Sequence, residues 1–201
     1  MTPIMRPENR TRIQDTGLRF LNRVALPPGR YQVRAAARDH GGSLSGSVIY
    51  DLDVPDFDEV PVGISGVALT SMSGSAFVTA RGDDGLQGIL PGPPVAIREF
   101  PQNDEIALFA EVYDNSSSSP HRVDIRTTIR GADGTIHFST ADQRDSSELA
   151  GGRGAYGHTI RTPLTSLPPG EYLITVEARS LAGNHEPARR DVRFRVVPPI
   201  S

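Results

Sequence analysis

Residues 105–113 read Glu105-Ile106-Ala107-Leu108-Phe109-Ala110-Glu111-Val112-Tyr113, and residues 122–130 read Arg122-Val123-Asp124-Ile125-Arg126-Thr127-Thr128-Ile129-Arg130. In the first, Ile106, Leu108, Ala110 and Val112 fall on one side of a period of two. In the second, Val123, Ile125, Thr127 and Ile129 do the same, with Arg122, Asp124, Arg126 and Arg130 opposite. A strand with one buried and one wet face produces this pattern. Next to these, Gly131-Ala132-Asp133-Gly134 is a hairpin signal, followed by a short strand carrying Ile136 and Phe138. Further strands are expected near 156–162, over 171–179 with Tyr172, Ile174, Val176 and Ala178 on one face, and at the end with Val192, Phe194 and Val196. With 95–100 as the opening strand, about seven short strands separated by turns predict an all-β fold: an immunoglobulin- or fibronectin-III-like antiparallel β-sandwich over 95–201. No long stretch carries the helical period.

The chain repeats part of itself. Leu26-Pro27-Pro28-Gly29-Arg30-Tyr31 recurs as Leu167-Pro168-Pro169-Gly170-Glu171-Tyr172, and Val33, Ala35, Ala37 and Arg38 correspond to Ile174, Val176, Ala178 and Arg179. A Tyr two residues after the Gly of such a turn reads as a tyrosine corner, whose hydroxyl bonds nearby backbone. Tyr31 and Tyr172 are therefore the expected structural tyrosines, both buried. The N-terminal copy offers only about three strands, near 17–25, 29–38 and 46–54, against the full set of the second. Residues 1–60 are thus expected to be a partial sandwich unit made of last strands only, the incomplete end of a larger protein. Residues 61–94, rich in Gly and Ser, read as a linker with one or two short strands, Val67-Ala68-Leu69-Thr70 among them.

Composition narrows the function classes. A net charge of −3 gives no broad basic field for nucleic acid. The absence of Cys removes disulfide scaffolds, thiol catalysis and cysteine metal sites. No apolar run is long enough to span a membrane as a helix. The opening segment MTPIMRPENR is charged too early to read as a secretory leader.

Several blocks occur in a fixed order: LPPGRYQVRAAARDHGG, GSVIYDLDVPDF, GVALTS, REF with DEIALFAEVYDN, and LPPGEYLITVEARS. Together, over about residues 16–198, they resemble the C-terminal region of bacterial secreted proteins that carry a von Willebrand factor A-type (VWA) domain. The resemblance implies a non-catalytic β-sandwich tail and an extracellular or cell-envelope location. The A-type domain itself is not found here, since no parallel βαβ pattern with a metal site occurs, and its metal-dependent adhesion does not carry over.

Motifs that could carry chemistry read better as structure. Asp114-Asn115-Ser116-Ser117-Ser118 matches Asp-x-Ser-x-Ser, the metal signature of that missing domain, and could offer oxygen to Mg²⁺. It leads into Pro120 and a strand instead of a helix, so a polar hairpin loop is expected. Gly152-Arg153-Gly154-Ala155-Tyr156-Gly157 fits the dinucleotide pattern but precedes a strand, which supplies no helix N-terminus for a phosphate. Arg81-Gly82-Asp83 is the tripeptide integrins read, in a turn-rich stretch. Asp51, Asp53, Asp56, Asp58 and Glu59 form an acidic cluster without the EF-hand spacing, and Asp51 and Asp53 are the wet face of a strand. His40, His121, His137, His158 and His185 lack paired ligand spacing and read as loop or surface histidines. No G-x-S-x-G elbow offers a serine nucleophile, and the absence of Trp disfavours a sugar-stacking platform. The expectation is a non-catalytic interaction or structural module. It has no catalytic, cofactor or metal residues, and its partner is a protein or the rest of a larger polypeptide. The alternative is a glycan- or calcium-binding adhesion module, with a hydrolase behind it.

Overall fold

A computed structural model describes residues 7–38, 44–81, 84–149 and 155–199. In chain order these form α1 (Pro7–Thr16), β1 (Leu18–Phe20), β2 (Gly29–Arg38), β3 (Ser45–Val54), β4 (Val62–Ile64), β5 (Ala68–Ser71) and β6 (Val78–Arg81). The second half forms β7 (Glu99–Pro101), β8 (Glu105–Asp114), β9 (Arg122–Gly131), β10 (Ile136–Asp145), β11 (Ala155–Pro163), β12 (Gly170–Ser180) and β13 (Ala188–Val197). The chain divides into two compact units, 24–59 and the combination of 1–23 with 60–201.

The larger unit is an antiparallel β-sandwich. One sheet has the order β10-β9-β12-β13-β7, with only the β13–β7 edge parallel. The other centres on β8, paired antiparallel with β11 on one side and with β4 and β5 in succession on the other. Because β8 pairs with β11 while β9 pairs with β12, the consecutive strands β8 and β9 sit in opposite sheets, the immunoglobulin-type crossover. The alternation dictates what meets between them: Ile106, Leu108, Ala110 and Val112 of β8 and Val123, Ile125 and Ile129 of β9 are buried with Ile174, Val176, Phe194 and Phe100. Each large apolar side chain so buried contributes about 1.5–3 kcal/mol. The β9–β10 turn closes at Gly134, whose φ of +83° suits a residue without Cβ.

Two expectations change. The 61–94 stretch does not simply link: β4 and β5 extend the β8 sheet, and Leu69 and Ile64 are core residues. Asp104, buried at the head of β8, fastens the turn after β5 by accepting from the Ser73 amide and hydroxyl. The 17–25 stretch gives a three-residue β1 that pairs in parallel with β6 of the larger unit rather than joining the N-terminal copy. Arg19 holds it there, donating to the Pro93 carbonyl at 2.8 Å and to the Gly74 carbonyl, with its guanidinium over the Phe77 ring. A helix, α1, also exists. Its sequence PENRTRIQDT has no apolar stripe, so periodicity could not reveal it. Its signals are Pro7 at the first position and Gly17 beyond the last turn, with φ +89° and its amide bonded to Ile13.

The smaller unit is the β2–β3 hairpin, a two-stranded antiparallel ribbon running from Gly29↔Val54 to Arg38↔Ser45. One face carries Tyr31, Val33, Ala35 and Ala37 with Val48, Tyr50, Leu52 and Val54; the other carries Arg30, Gln32, Arg34 and Arg38 with Asp51 and Asp53. Val48 is 62% and Tyr50 63% exposed.

Candidate functional site

The β8 alternation that sends Ile106, Leu108, Ala110 and Val112 inward also sends the next even residue inward, and that residue is Asp114. A carboxylate at the end of a sandwich is costly unless its oxygens are bonded. The loop to β9 supplies the partners. Asp114 Oδ1 accepts from the Ser116 amide at 3.2 Å and hydroxyl at 2.6 Å, and Oδ2 faces His121 Nε2 at 2.5 Å. The other ring nitrogen, Nδ1, lies 2.7 Å from the Ser119 carbonyl. Ser180, at the end of β12, is 2.5 Å from Ser116 Oγ. The backbone joins as well: the His121 amide donates to Ser146 Oγ, and the Ser146 amide donates to the His121 carbonyl. Side-chain exposure is 0% for Asp114 and 8% for His121, so the pair is buried.

These contacts set the electrostatics. Burial opposes charge on His121, but the Ser119 carbonyl and the hydrogen bond and charge of Asp114, with Asp145 further off, outweigh it and raise the imidazole above its ordinary value. Tyr156 projects from β11 beside this end of the core, its ring 5.8 Å from the Arg144 guanidinium. Its hydroxyl is buried without a hydrogen-bond partner among the described residues. Burial first, then the charges of Asp114, Glu148 and Asp145, push it up to about 12.

Ser, His and Asp side by side invite comparison with a hydrolytic triad. In a triad the nucleophile and the orienting carboxylate bond opposite ring nitrogens. Here Ser116, at 3.2 Å, and Asp114 share Nε2, while Nδ1 is spent on a main-chain carbonyl. The Ser116 proton is directed at Asp114 and not at the ring. The arrangement is suited to holding a loop, not to activating a nucleophile.

Three of the residues, Asp114, Ser116 and His121, stand within eight positions, yet the sequence pattern ties Asp114 and Ser116 to the Asp-x-Ser-x-Ser motif and leaves His121 among the loop or surface histidines. The missed signal was the polarity of Asp114 at an inward position of a strand. The histidines need correcting in the same way. His158 is no surface residue: it occupies the inward face of β11 between Tyr156 and Ile160, and its Nε2 lies 2.8 Å from Thr127 Oγ1 of β9 in the opposite sheet. Burial lowers its basicity. His137 is exposed on β10, edge-on to the Tyr172 ring, and His185 lies in the turn after β12. His40 lies outside the described residues.

The Tyr172 hydroxyl donates to the Pro168 carbonyl at 2.7 Å and that of Tyr31 to the Pro27 carbonyl at 2.9 Å. Tyr172 is buried and stacked on Phe194, whereas Tyr31, on the two-stranded ribbon, is only half-buried. Asp51 accepts from the Gln32 amide group, Asp53 sits beside Arg30, and Asp56 caps the Asp58 amide, so the acidic cluster is dispersed into local contacts. Among the described residues no group of three or more His, Asp or Glu is disposed to hold a metal. Residues 152–154 of the glycine motif and 82–83 of the Arg-Gly-Asp tripeptide lie outside the described residues. The glycine motif runs directly into strand β11. The outer sheet face carries exposed pairs such as Arg195–Glu171 and Arg189–Asp191, each contributing little in water. No helix among the described residues is long and apolar enough to cross a membrane.

No known protein family matches the chain, and neither does any curated protein. Solved structures do. The C-terminal domain of wzt aligns over 87% of this chain and 84% of its own, with 14% identity and a TM-score of 0.43. A calcium-binding mutant of β-glucuronidase 2 from Bacteroides uniformis aligns over 67% of this chain with 11% identity and a TM-score of 0.42, and the match spans only 14% of the enzyme. The putative ApaA protein from Bordetella pertussis aligns over 70% of this chain and 98% of its own, with 13% identity and a TM-score of 0.32.

Proposed function

We propose that the chain is a non-catalytic β-sandwich module that works by binding protein, either a separate partner or other parts of a larger polypeptide. The exposed apolar face of the β2–β3 ribbon is the observation that carries this reading. Val33, Val48 and Tyr50 lie on one face and in water. A contiguous exposed apolar patch marks an interaction surface more often than chance. The internal repeat supports it: in the second copy the matching residues Tyr172, Ile174, Val176 and Ala178 are all buried. The wiring of Asp114, Ser116 and His121 supports the non-catalytic half. The ordered blocks that resemble the C-terminal region of VWA-type bacterial proteins support an extracellular or envelope setting.

The test has two arms. A panel of chromogenic esters and glycosides should show no turnover above buffer; turnover abolished by Ser116→Ala would overturn the non-catalytic assignment. An environment-sensitive apolar dye should fluoresce on the wild-type chain and lose most of that signal in Val48→Lys/Tyr50→Lys. A wild type that leaves the dye dark would remove the binding surface.

A further inference from the structure

We infer that Asp114 and His121 form a proton-operated clasp, which holds residues 116–121 against the Ser180 end of β12 while His121 is charged and releases them when it is not. The geometry fixes the charge. Nδ1 faces the Ser119 carbonyl at 2.7 Å and Nε2 faces the Asp114 carboxylate at 2.5 Å. Both partners are acceptors only, so each nitrogen must bring a proton. A neutral ring has one N–H and one lone pair, and either tautomer turns that lone pair on an oxygen. The Ser116 hydroxyl, 3.2 Å from Nε2, has one proton and already spends it on Asp114. Turning it to the ring would strip a bond from a carboxylate with no exposure to water.

One direction of donation satisfies the network. Ser180 donates to Ser116, Ser116 to Asp114 Oδ1, and imidazolium to Asp114 Oδ2. Remove the imidazolium proton and the buried carboxylate loses its countercharge, which slackens the Ser116–Ser180 link across the sandwich. Other charges at this end reinforce the bias. Asp145, from the end of β10, favours the cation. Arg122 stands opposite Asp145 in the β9–β10 register, and Arg144 is taken by Glu148 at 2.6 Å. The Tyr156 hydroxyl, pushed up to about 12, stays neutral until far higher pH.

Linkage gives the sign. A histidine whose folded value is raised stabilises fully below its unfolded value of about 6.5, and that contribution is lost as pH climbs through the folded value. The clasp is therefore shut below about pH 6.5 and opens as pH climbs through the raised folded value. What it controls is the exposed Ser117–Pro120 tip of the loop.

Nitrogen-15 NMR of the histidine rings in the full chain tests this. At about pH 6 both His121 nitrogens should be protonated, with a midpoint above the ordinary value of about 6.5. Amides of 116–119 and 121, corrected for intrinsic exchange, should lose protection through that midpoint while β9 and β12 keep theirs. Asp114→Asn should lower the midpoint. Ser180→Ala should leave it in place but speed loop exchange at every pH, which keeps the test informative should Asp114→Asn fail to fold. A nitrogen bare at about pH 6, a midpoint at or below about 6.5, or loop protection indifferent to the titration would overturn the clasp.

Discussion

The Tyr172 hydroxyl has one partner, the Pro168 carbonyl, in a site closed by Phe194 and His137. Replacing it with Phe leaves that carbonyl without its donor, so Tyr172→Phe should cost about 1–2 kcal/mol in denaturant unfolding. Tyr31→Phe breaks a bond of similar length in a half-exposed setting, where water can replace the donor, and should cost clearly less. His158 carries a second residue-scale prediction. Burial lowers it, so the unfolded chain binds its proton first as pH falls. Stability should therefore decline as pH drops from about 6.5 toward the folded value. This is the opposite sign to His121. The melting temperature should fall with pH across that window in the wild type and depend less on pH in His158→Gln. At this scale the hydrogen bonds of both Tyr could be anticipated from the Pro-Pro-Gly-x-Tyr repeat, but the difference in burial could not, because burial depends on neighbours that only one copy has. The Asp114–His121 pair was illegible for a related reason: pairing residues across a loop requires knowing which way each strand face points.

Strands obey the alternation wherever both faces have distinct fates. Ile125 on β9 is buried between the sheets, whereas Ile136 at the start of β10 is half exposed. Ile125→Ala should cost about 2–5 kcal/mol, and Ile136→Ala should stay within about 0.5 kcal/mol. Equal losses at the two positions would contradict the assigned faces. The strands β8, β9, β12 and β13 could be read directly, since each alternates apolar and polar positions along most of its length. The short elements could not. β4 and β5 have three and four residues, too few for a period to register, and take their place by pairing along β8. α1 is polar nearly all round and is positioned by contacts such as Arg12 with the Ala76 carbonyl, which no local pattern encodes. The Gly- and Ser-rich 61–94 stretch reads as linker because its strands sit between genuine turns.

Across the whole molecule, the two copies of the Leu-Pro-Pro-Gly motif meet opposite fates. The second opens β12, flanked on both edges by β9 and β13 and built into a continuous core. The first opens β2, which pairs with β3 in a two-stranded sheet and leaves Val33, Val48 and Tyr50 in water. A lone two-stranded ribbon is marginal in water. On the reading proposed above, 29–54 is a surface that binding completes, whereas the sandwich is closed by its own strands, β4 and β5 among them. Hydrogen exchange read by mass spectrometry on the isolated chain tests this most directly. Amides of β2 and β3 should exchange first, while those of β8, β9 and β12 stay protected until global unfolding. Protection in β2 and β3 equal to or greater than that in the sandwich strands would show the ribbon to be complete in itself and contradict its role as an open binding surface.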